Sequence, residues 1–214
     1  MISPMARTTL VQISRRMHAA GWVANHDGNA SIKVGQDRYL VTPTATSKLE
    51  VTEASLVLVD GAGQVIEGTR KPPGELELHL AAYRARPDIG AVLHAHPPTA
   101  TAFGAAGVEL APIPLPEAVV SLGSVPSAPF ALPKTPQATE GVARCAAEAN
   151  QFLLQGNGAM ALGPDLALCF LRMELVEHLA KVLHLARALG GAQPLPPDVL
   201  AALQAQHRKA FPRT

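Results

Sequence analysis

The sequence has 214 residues, of which 48% are hydrophobic, 16% are charged and 4% are aromatic, and its formal net charge is +1. This apolar fraction excludes wholesale disorder, and the length suits one large domain or two small ones. A net charge near zero argues against a dedicated nucleic-acid-binding protein, which usually presents a basic face.

Signals for secretion or membrane insertion are missing from the sequence pattern. The segment from Met1 to Ala20 carries Arg7, Arg15 and Arg16 where a signal peptide would be apolar. No uncharged run approaches the about 18 residues that a membrane span needs. Two cysteines without metal-binding or CxxC spacing, at positions 145 and 169, predict reduced core thiols. We therefore expect a cytoplasmic protein with no membrane and no nucleic-acid partner.

The first half of the chain alternates helix and strand patterns. Apolar residues recur at steps of three and four from Leu10 to Ala20, which predicts an amphipathic helix ending at Gly21. A second helix is predicted between Pro72-Pro73-Gly74 and Arg86-Pro87. Strands are predicted at 30–34, 38–41, 56–60, 64–66 and 89–96.

The second half begins with a predicted short helix at 100–107 and continues into a Pro-rich segment at 110–136. That segment predicts irregular structure, with a short strand near 125–130. Strands at 152–154 and 159–162 flank Asn157-Gly158, a dipeptide that favours a tight hairpin turn. Helices are predicted at 139–149, at 165–189 and, loosely attached, from Pro194. The alternation predicts an α/β protein with a mainly antiparallel sheet and helices packed on it.

The segment Val92-Leu93-His94-Ala95-His96-Pro97 is the most informative for chemistry. Residues two apart on a strand point to one face, so His94 and His96 project together. Two adjacent imidazoles can chelate one divalent metal, although a pair of surface histidines fits the same pattern.

Two further groups of polar residues have a functional and a plain interpretation. Glu75 and His79 are four apart on the predicted helix and share a face, either as metal ligand or base, or as a capping Glu and a half-buried His. The loop Thr42-Pro43-Thr44-Ala45-Thr46-Ser47-Lys48, together with Asn29, either holds an anion or polyol or is simply solvated.

Five short segments also occur in a specific order and spacing. They are Gly28-Asn29-Ala30-Ser31, Thr42-Pro43-Thr44, Lys71-Pro72 with Glu75, Leu78-His79-Leu80-Ala81-Ala82-Tyr83-Arg84, and His94-Ala95-His96-Pro97. Each is weak alone, but together they make the chain, from about Met5 to about Ala188, resemble the class II aldolase/adducin family of L-fuculose-phosphate aldolase-type enzymes. The resemblance implies a single domain over 1–214, with its core at about 5–188 and an extension at 194–214.

The family resemblance implies a three-layer α/β/α sandwich around a mainly antiparallel sheet, and a homotetramer with active sites at subunit interfaces. It also implies a divalent metal, usually zinc, held by His94 and His96 with Glu75 as base and possible ligand. The metal would act as a Lewis acid on a hydroxy-carbonyl substrate and stabilise an enediolate, while the Glu moves a proton on carbon. Asn29, Thr44, Thr46 and Lys48 would line the polar end of a small-molecule substrate.

The sequence departs from the family pattern at Asn157, at Pro73-Gly74 and at Ala45. Asn157 stands where the family has a third metal-binding His, and an amide oxygen is a weaker zinc ligand than imidazole. Pro73-Gly74 replaces two serines of the phosphate pocket, and Ala45 replaces a usual Gly. These changes put the strength of metal binding and a phosphorylated substrate in question.

An acidic residue from a neighbouring subunit completes the site that the family implies. Glu117 is the one acidic residue between Leu110 and Thr139 and falls in the matching segment. It would act as an acid on the leaving oxygen, unless it is a solvated loop carboxylate. The resulting prediction is an aldolase-type lyase. The alternatives are a decarboxylase, dehydratase or epimerase of the same family, or an inactive scaffold protein.

Overall fold

The computed structural model describes residues 2–211, which form seven α-helices, a short 3-10 turn and eight strands. In chain order the elements are α1 Pro4–Ala19, β1 Asn29–Gly35, β2 Arg38–Val41, the 3-10 turn Glu53–Ser55, β3 Val57–Val59, β4 Val65–Glu67, α2 Leu76–Ala85, β5 Ala91–Ala95, α3 Pro98–Ala105, α4 Pro116–Leu122, β6 Ser127–Ala128, α5 Pro136–Glu148, β7 Gln151–Leu154, β8 Ala159–Gly163, α6 Leu166–Arg187 and α7 Pro197–Ala210.

The described strands form one sheet in the order β4-β3-β2-β1-β5-β8-β7-β6. Every neighbouring pair is antiparallel except β6 and β7, which are parallel. Strand β5 lies between β1 and β8, and its His94 is opposite Asn29 on one side and Met160 on the other. The register therefore places the first residue of β1 beside the first histidine of the pair.

Helices cover both faces of the sheet, and successive residues of the central strands β5, β8 and β7, which point to opposite sides, are therefore all buried. Leu93 packs in a core built with α1, α3 and α6. Its neighbour Val92 packs in a second core built with α2 and α5. The predicted three-layer α/β/α sandwich around a mainly antiparallel sheet is confirmed.

The Pro-rich segment 110–136 differs from the prediction, because it contains the helix α4 and is not irregular throughout. Pro116 occupies the start of that helix, where a missing backbone N–H and a fixed φ are tolerated. Ala118, Val119 and Leu122 are its buried residues. Glu117 therefore lies in the first turn of a helix and not in a loop.

The turn between β7 and β8 also differs from the tight Asn157-Gly158 turn that the sequence predicts. The positive φ angles belong to Gly156 and Gly158, at +72° each, and Asn157 has none. Gly158 is required here, because an added Cβ would lie 2.7 Å from Cδ2 of His96. The turn thus brings the Asn157 side chain toward the histidine pair.

The C-terminal helix α7 attaches to α4, although none of its residues is buried. Nδ1 of His207 lies 2.8 Å from the carbonyl oxygen of Val120. Both cysteines, 145 and 169, are free and buried, as predicted. Among the helices of residues 2–211, none is both long and apolar enough to span a membrane.

Candidate active site

The carboxylate of Glu75 lies where three distant segments of the chain meet. Glu75 is the residue immediately before α2. Asn29 Nδ2 donates to its Oε2 at 2.8 Å, and Asn157 Nδ2 donates to its Oε1 at 2.7 Å. The fold thus brings together three residues that the sequence placed in one site, across separations of 46 and 82 positions.

The histidine pair lies beside this carboxylate. His94 is 1% exposed, and its Nδ1 lies 3.0 Å from Oε2 of Glu75. Its Nε2 lies 2.8 Å from the backbone carbonyl oxygen of Asn157. The ring centroids of His94 and His96 are 5.1 Å apart, and the ring planes are inclined to each other by 63°. Strand β5 ends at Ala95, because the His96 N–H leaves the sheet and donates to the carbonyl oxygen of Trp22.

Asp27 is a member of the site that the sequence reasoning missed. Its Oδ2 lies 3.6 Å from Nδ1 of His96, and its Oδ1 accepts the backbone N–H of Ala24 at 2.6 Å. A carboxylate in this place orients the imidazole, as carboxylates behind histidine ligands commonly do. The only sequence signal was its place in the polar loop Asn25-His26-Asp27-Gly28-Asn29.

The electrostatics of the site favour an ionised Glu75. Burial raises the pKa of Glu75, but His94 and the amides of Asn157 and Asn29 outweigh it, so that the pKa of Glu75 is lowered. Burial lowers the pKa of His94, but the carboxylate of Glu75 outweighs it and raises that pKa. The pKa of His96 is lowered by burial and by the neighbouring His94.

His79 is a buried part of the site and not merely a half-buried neighbour of Glu75. It is 1% exposed, with Nε2 against Oδ1 of Asn29 and Nδ1 2.7 Å from Oγ of Ser31. Burial and the nearby His94 lower the pKa of His79 to about 3. It is therefore a neutral imidazole at physiological pH, which favours a role in a hydrogen-bond network over one as a charged group.

The loop from Thr44 to Lys48 packs against the segment that leads to Glu75. Thr44 donates its N–H to the carbonyl oxygen of Lys71 at 3.0 Å, and Arg70 Nη2 donates to Oγ1 of Thr46 at 2.8 Å. Lys48 is 1% exposed and donates to the carbonyl oxygens of His26 and Thr46 at 3.1 and 3.0 Å. The predicted substrate-binding loop therefore borders the Glu75 segment, and Arg70 adds a cation that sequence reasoning did not single out.

The position of Gly74 is open. No atom of residues 2–211 would lie within 4 Å of a Cβ added there. A side chain at this position would point into free space. The fold therefore leaves room for a serine at position 74, and crowding does not explain the glycine there.

Glu117 lies apart from the other predicted site residues within one chain. It is exposed and lines a cleft of about 450 Å³ with residues of α4 and α6, among them Arg172 and His178. Of the described residues that line this cleft, none is Glu75, His94 or His96. Glu117 could therefore act at the site around Glu75 only if it came from a second subunit.

His94, His96 and Glu75 present donor atoms that a divalent metal could use. Within residues 2–211, Nδ1 of His94 and Nε2 of His96 are buried and have no hydrogen-bond partner of good geometry. Two such imidazole nitrogens beside the Glu75 carboxylate are a donor set that suits zinc. However, no group of three or more His, Cys, Asp or Glu side chains among the described residues is arranged to hold an ion. The residues fit a metal chemically, but with fewer strong donors than a three-histidine site.

The family to which this chain belongs follows from its match to a protein-family model. The model of the Class II Aldolase and Adducin N-terminal domain matches residues 8–184. The chain belongs to the class II aldolase/adducin family. The resemblance seen in the sequence motifs is confirmed over most of the chain.

Individual relatives in the family carry different activities. One is the 5-deoxy-D-ribulose 1-phosphate aldolase of Bacillus thuringiensis serovar kurstaki, 28% identical over 95% of each chain. Another is the 3-oxo-tetronate 4-phosphate decarboxylase of Haemophilus influenzae, 29% identical over 81% of this chain and 84% of the relative. A solved structure of an L-fuculose 1-phosphate aldolase superposes with a TM-score of 0.87, at 26% identity over 99% of each chain. Family members of this kind are lyases, so this chain is similar to carbon–carbon lyases of more than one type.

Proposed function

We propose that this protein is a metal-dependent aldolase-type lyase that cleaves or forms a carbon–carbon bond in a small hydroxy-carbonyl compound. One observation carries the proposal. The Glu75 carboxylate lies 3.0 Å from Nδ1 of His94, and this buried nitrogen makes no hydrogen bond of good geometry with any of residues 2–211. A carboxylate beside histidines is the donor set of metal-assisted proton transfer.

His94, His96 and Glu75 would hold the divalent ion, with zinc as the proposed metal and water completing its shell. When bound, the ion supplies Lewis acidity to the oxygens of a carbonyl substrate. Asp27 and the backbone carbonyl of Asn157 orient the two imidazoles. The NH₂ group of Asn157 donates to Glu75. This side chain therefore positions the carboxylate, and it is the weakest candidate among the proposed metal ligands.

Glu75 is the proposed base that moves the proton on carbon. Its two carboxylate oxygens accept from Asn29 and Asn157, which hold it at a fixed place. Asn29 is in addition the proposed donor to an oxygen that gains negative charge during the reaction. Asn29 can donate to Glu75 and to the substrate oxygen only when its NH₂ group, and not its carbonyl oxygen, faces the site.

The proposed substrate is small and polar and does not require a phosphate. Pro73 and Gly74 supply neither of the hydroxyls of the family phosphate pocket, and Pro73 has no N–H to donate. Thr44, Ala45 and Thr46 would line its polar end, next to the buried Lys48. A phosphorylated compound would find fewer donors here than in the family pocket, since Asn29 and Thr44 remain but the two hydroxyls do not.

Glu117 and the assembly belong to the same proposal. Glu117 would donate a proton to the leaving oxygen across a subunit interface of a homotetramer. Its exposure in the single chain, away from Glu75, is compatible with this role.

A decarboxylase is the second candidate, since the Haemophilus influenzae relative carries that activity. Decarboxylation uses the same metal and carbonyl but requires no proton abstraction by Glu75. Dehydratase and epimerase activities would also use this donor set. An inactive scaffold protein is the candidate from another class, and the absence of metal binding would indicate it.

The deciding experiment is metal analysis of the purified protein, followed by a screen of hydroxy-carbonyl and β-keto acid compounds with and without phosphate. We expect one zinc ion per chain in the wild type and loss of it in His94→Ala. If neither protein holds metal at micromolar zinc, the lyase proposal is wrong. Release of CO₂ without aldehyde would select the decarboxylase.

The substitution Asn157→His tests the ligand set directly. Because Asn157 Nδ2 lies 2.7 Å from Oε1 of Glu75, an imidazole there would reach the site. We expect zinc affinity to rise by about tenfold or more, the scale of changes around metal ligands. Asn157→Ala is the control, since it removes the amide and adds no ligand. Equal zinc affinity in wild type and Asn157→His would place the turn away from the metal.

A further inference from the structure

A line of buried polar groups runs from the core of the protein to Glu75. Tyr83 OH lies 3.0 Å from Oγ of Ser31, which lies 2.7 Å from Nδ1 of His79. His79 Nε2 contacts Oδ1 of Asn29, and Asn29 Nδ2 lies 2.8 Å from Glu75. Ser31, His79 and Tyr83 are 0%, 1% and 3% exposed. Water is therefore excluded from the inner part of this line.

The direction of every hydrogen in the line follows from its outer end. An ionised carboxylate only accepts, so Asn29 must turn its NH₂ group toward Glu75 and its carbonyl toward His79. The ring nitrogen Nε2 of His79 must then carry the hydrogen, which leaves Nδ1 as an acceptor. Ser31 donates to that Nδ1 and accepts from Tyr83. One chemical constraint at Glu75 thus fixes four residues.

The opposite orientation of the Asn29 amide and the other tautomer of His79 would each bring two acceptors face to face. If the amide of Asn29 turned over, its oxygen would face the carboxylate of Glu75. If His79 carried its hydrogen on Nδ1, two acceptors would face each other at Asn29, in a buried place where an unmade hydrogen bond costs about 1–3 kcal/mol. The two interactions support each other, as expected for a cooperative buried network.

We propose that His79 is a positioning residue, whose Nε2–H holds the Asn29 amide with its NH₂ group toward the base Glu75, while the Ser31 hydroxyl, itself contacted by Tyr83, donates to Nδ1 and holds the His79 ring in place. This inference rests on the proposed function for the meaning of Glu75 as a base. It adds a residue that touches neither substrate nor metal, and two others that act through it. His79 acts here as a fixed neutral donor, and its low pKa, near 3, agrees with that state.

The tautomer of His79 tests the inference without any activity assay. We would record long-range ¹H–¹⁵N spectra of the eight histidine side chains in the unliganded protein at pH 7, with His79→Gln assigning the signal. The expected result is a neutral His79 with its hydrogen on Nε2 and slow exchange of that hydrogen with solvent. A hydrogen on Nδ1, or a doubly protonated ring, would overturn the inference.

Two substitutions at His79 separate positioning from bulk structure. His79→Leu keeps the volume and removes both hydrogen bonds, whereas the amide of His79→Gln can still donate to Asn29. We expect His79→Leu to weaken zinc binding by about tenfold or more. His79→Gln should stay within about threefold of wild type, which is less than the loss of a buried hydrogen bond would produce. Equal zinc affinity in wild type and His79→Leu, or equal weakness in both variants, would contradict the inference.

Tyr83→Phe probes the inner end of the line and remains informative if His79→Leu does not fold. Ser31 can still donate to His79 when the phenol is absent, so the tautomer should persist while the His79 hydrogen exchanges faster. Unchanged exchange would remove Tyr83 from the network. If the wild type binds no zinc, the metal part of the proposed function fails, and the tautomer measurement still decides this inference.

Discussion

Ala45 adopts a left-handed backbone conformation, with φ of +50°. The side chain of any residue except Gly is strained there, by about 1–2 kcal/mol in a left-handed helix. Ala45→Gly relieves this strain but increases the entropy of the unfolded chain, which costs about 0.4–1 kcal/mol. We expect a net gain of up to about 1 kcal/mol in the free energy of unfolding, measured by urea denaturation.

The matched control for Ala45→Gly is Ala102→Gly. Ala102 is exposed in the middle of α3, where Gly is less favourable than Ala by about 1 kcal/mol. The two substitutions should therefore change stability in opposite directions. A loss of stability in both variants would show that the methyl group of Ala45 makes contacts that outweigh its backbone strain.

Lys48 is a buried amine whose charge opposes folding. Burial lowers the pKa of Lys48 from 10.5 to about 8, although the nearby carboxylates of Asp27 and Glu75 act in the opposite direction. Between pH 8 and pH 10.5 the unfolded chain binds a proton that the folded chain has lost. This group therefore makes the protein more stable as pH rises through that window.

The prediction for Lys48 compares wild type with Lys48→Met across pH. Relative to the variant, the wild type should gain up to about 3 kcal/mol in unfolding free energy between pH 8 and pH 10.5. Urea denaturation at several pH values measures the difference. Lys181→Met, at a side chain 59% exposed, shows the effect of removing a solvated lysine. A difference between wild type and Lys48→Met that does not depend on pH would contradict the prediction.

At the scale of elements, Glu177 on α6 anchors the start of α3. The side chain is 2% exposed and accepts from the N–H groups of Thr99 and Ala100 at 3.2 and 2.9 Å and from the Thr99 hydroxyl at 2.9 Å. A carboxylate at a helix N-terminus satisfies N–H groups that have no partner within the helix. Because α3 begins two residues after His96, this contact also steadies the end of the histidine segment.

Glu177→Ala should lower the free energy of unfolding by about 2–4 kcal/mol, since it leaves three donors at the start of α3, one of them fully buried, without a partner. Glu177→Gln keeps one acceptor oxygen and should lose less. Lys181 pairs with Glu177 at 3.4 Å but is exposed, so Lys181→Ala should cost less than about 1 kcal/mol. Urea denaturation ranks the three variants. If Lys181→Ala costs as much as Glu177→Ala, the stabilisation comes from the ion pair and not from the helix contact.

Most elements could be predicted because their signals are local. The apolar spacing of α1 and the Gly-containing turn between β1 and β2 act within a few residues. Both form, although α1 begins at Pro4, before the predicted apolar pattern starts at Leu10. The helix α4 was not predicted, because a proline usually breaks a helix, although the first helical position tolerates it. The buried residues of α4 gain stability from packing against α6 and α7, which no local signal reveals. The 154–158 turn has its left-handed residues at Gly156 and Gly158, whereas the predicted Asn-Gly turn requires a left-handed Asn157.

At the scale of the whole molecule, the site was predictable only in part. The proximity of His94, His96 and Glu75 was expected from strand alternation and from the family order of motifs. Asp27 and the partners of His79 were not, because the contact between Ser31 and His79 joins residues 48 positions apart. Such contacts depend on strand order and helix packing, which a single sequence does not encode locally.

The proposed assembly is tested by light scattering and by Glu117→Gln. Phe130 and Leu132, two positions apart in the chain, are 65% and 63% exposed in the isolated chain, which is unfavourable for large apolar side chains unless another subunit covers them. We expect a tetramer at micromolar concentration, and for Glu117→Gln a loss of turnover with zinc content unchanged. A monomer in solution, or full turnover in the variant, would remove Glu117 from the active site.

The residues of the site differ in how firmly the fold holds them, because β5 lies inside the sheet and the other segments do not. All five residues of β5 are buried, and the strand is paired on both edges, so its amides can exchange with solvent only when the molecule opens on a large scale. Glu75 and Asn157 instead lie before a helix and in a turn, where small local openings suffice. His94 is thus held by the most protected part of the sheet, whereas the carboxylate of Glu75 and the amide of Asn157 lie where local opening of the chain can displace them.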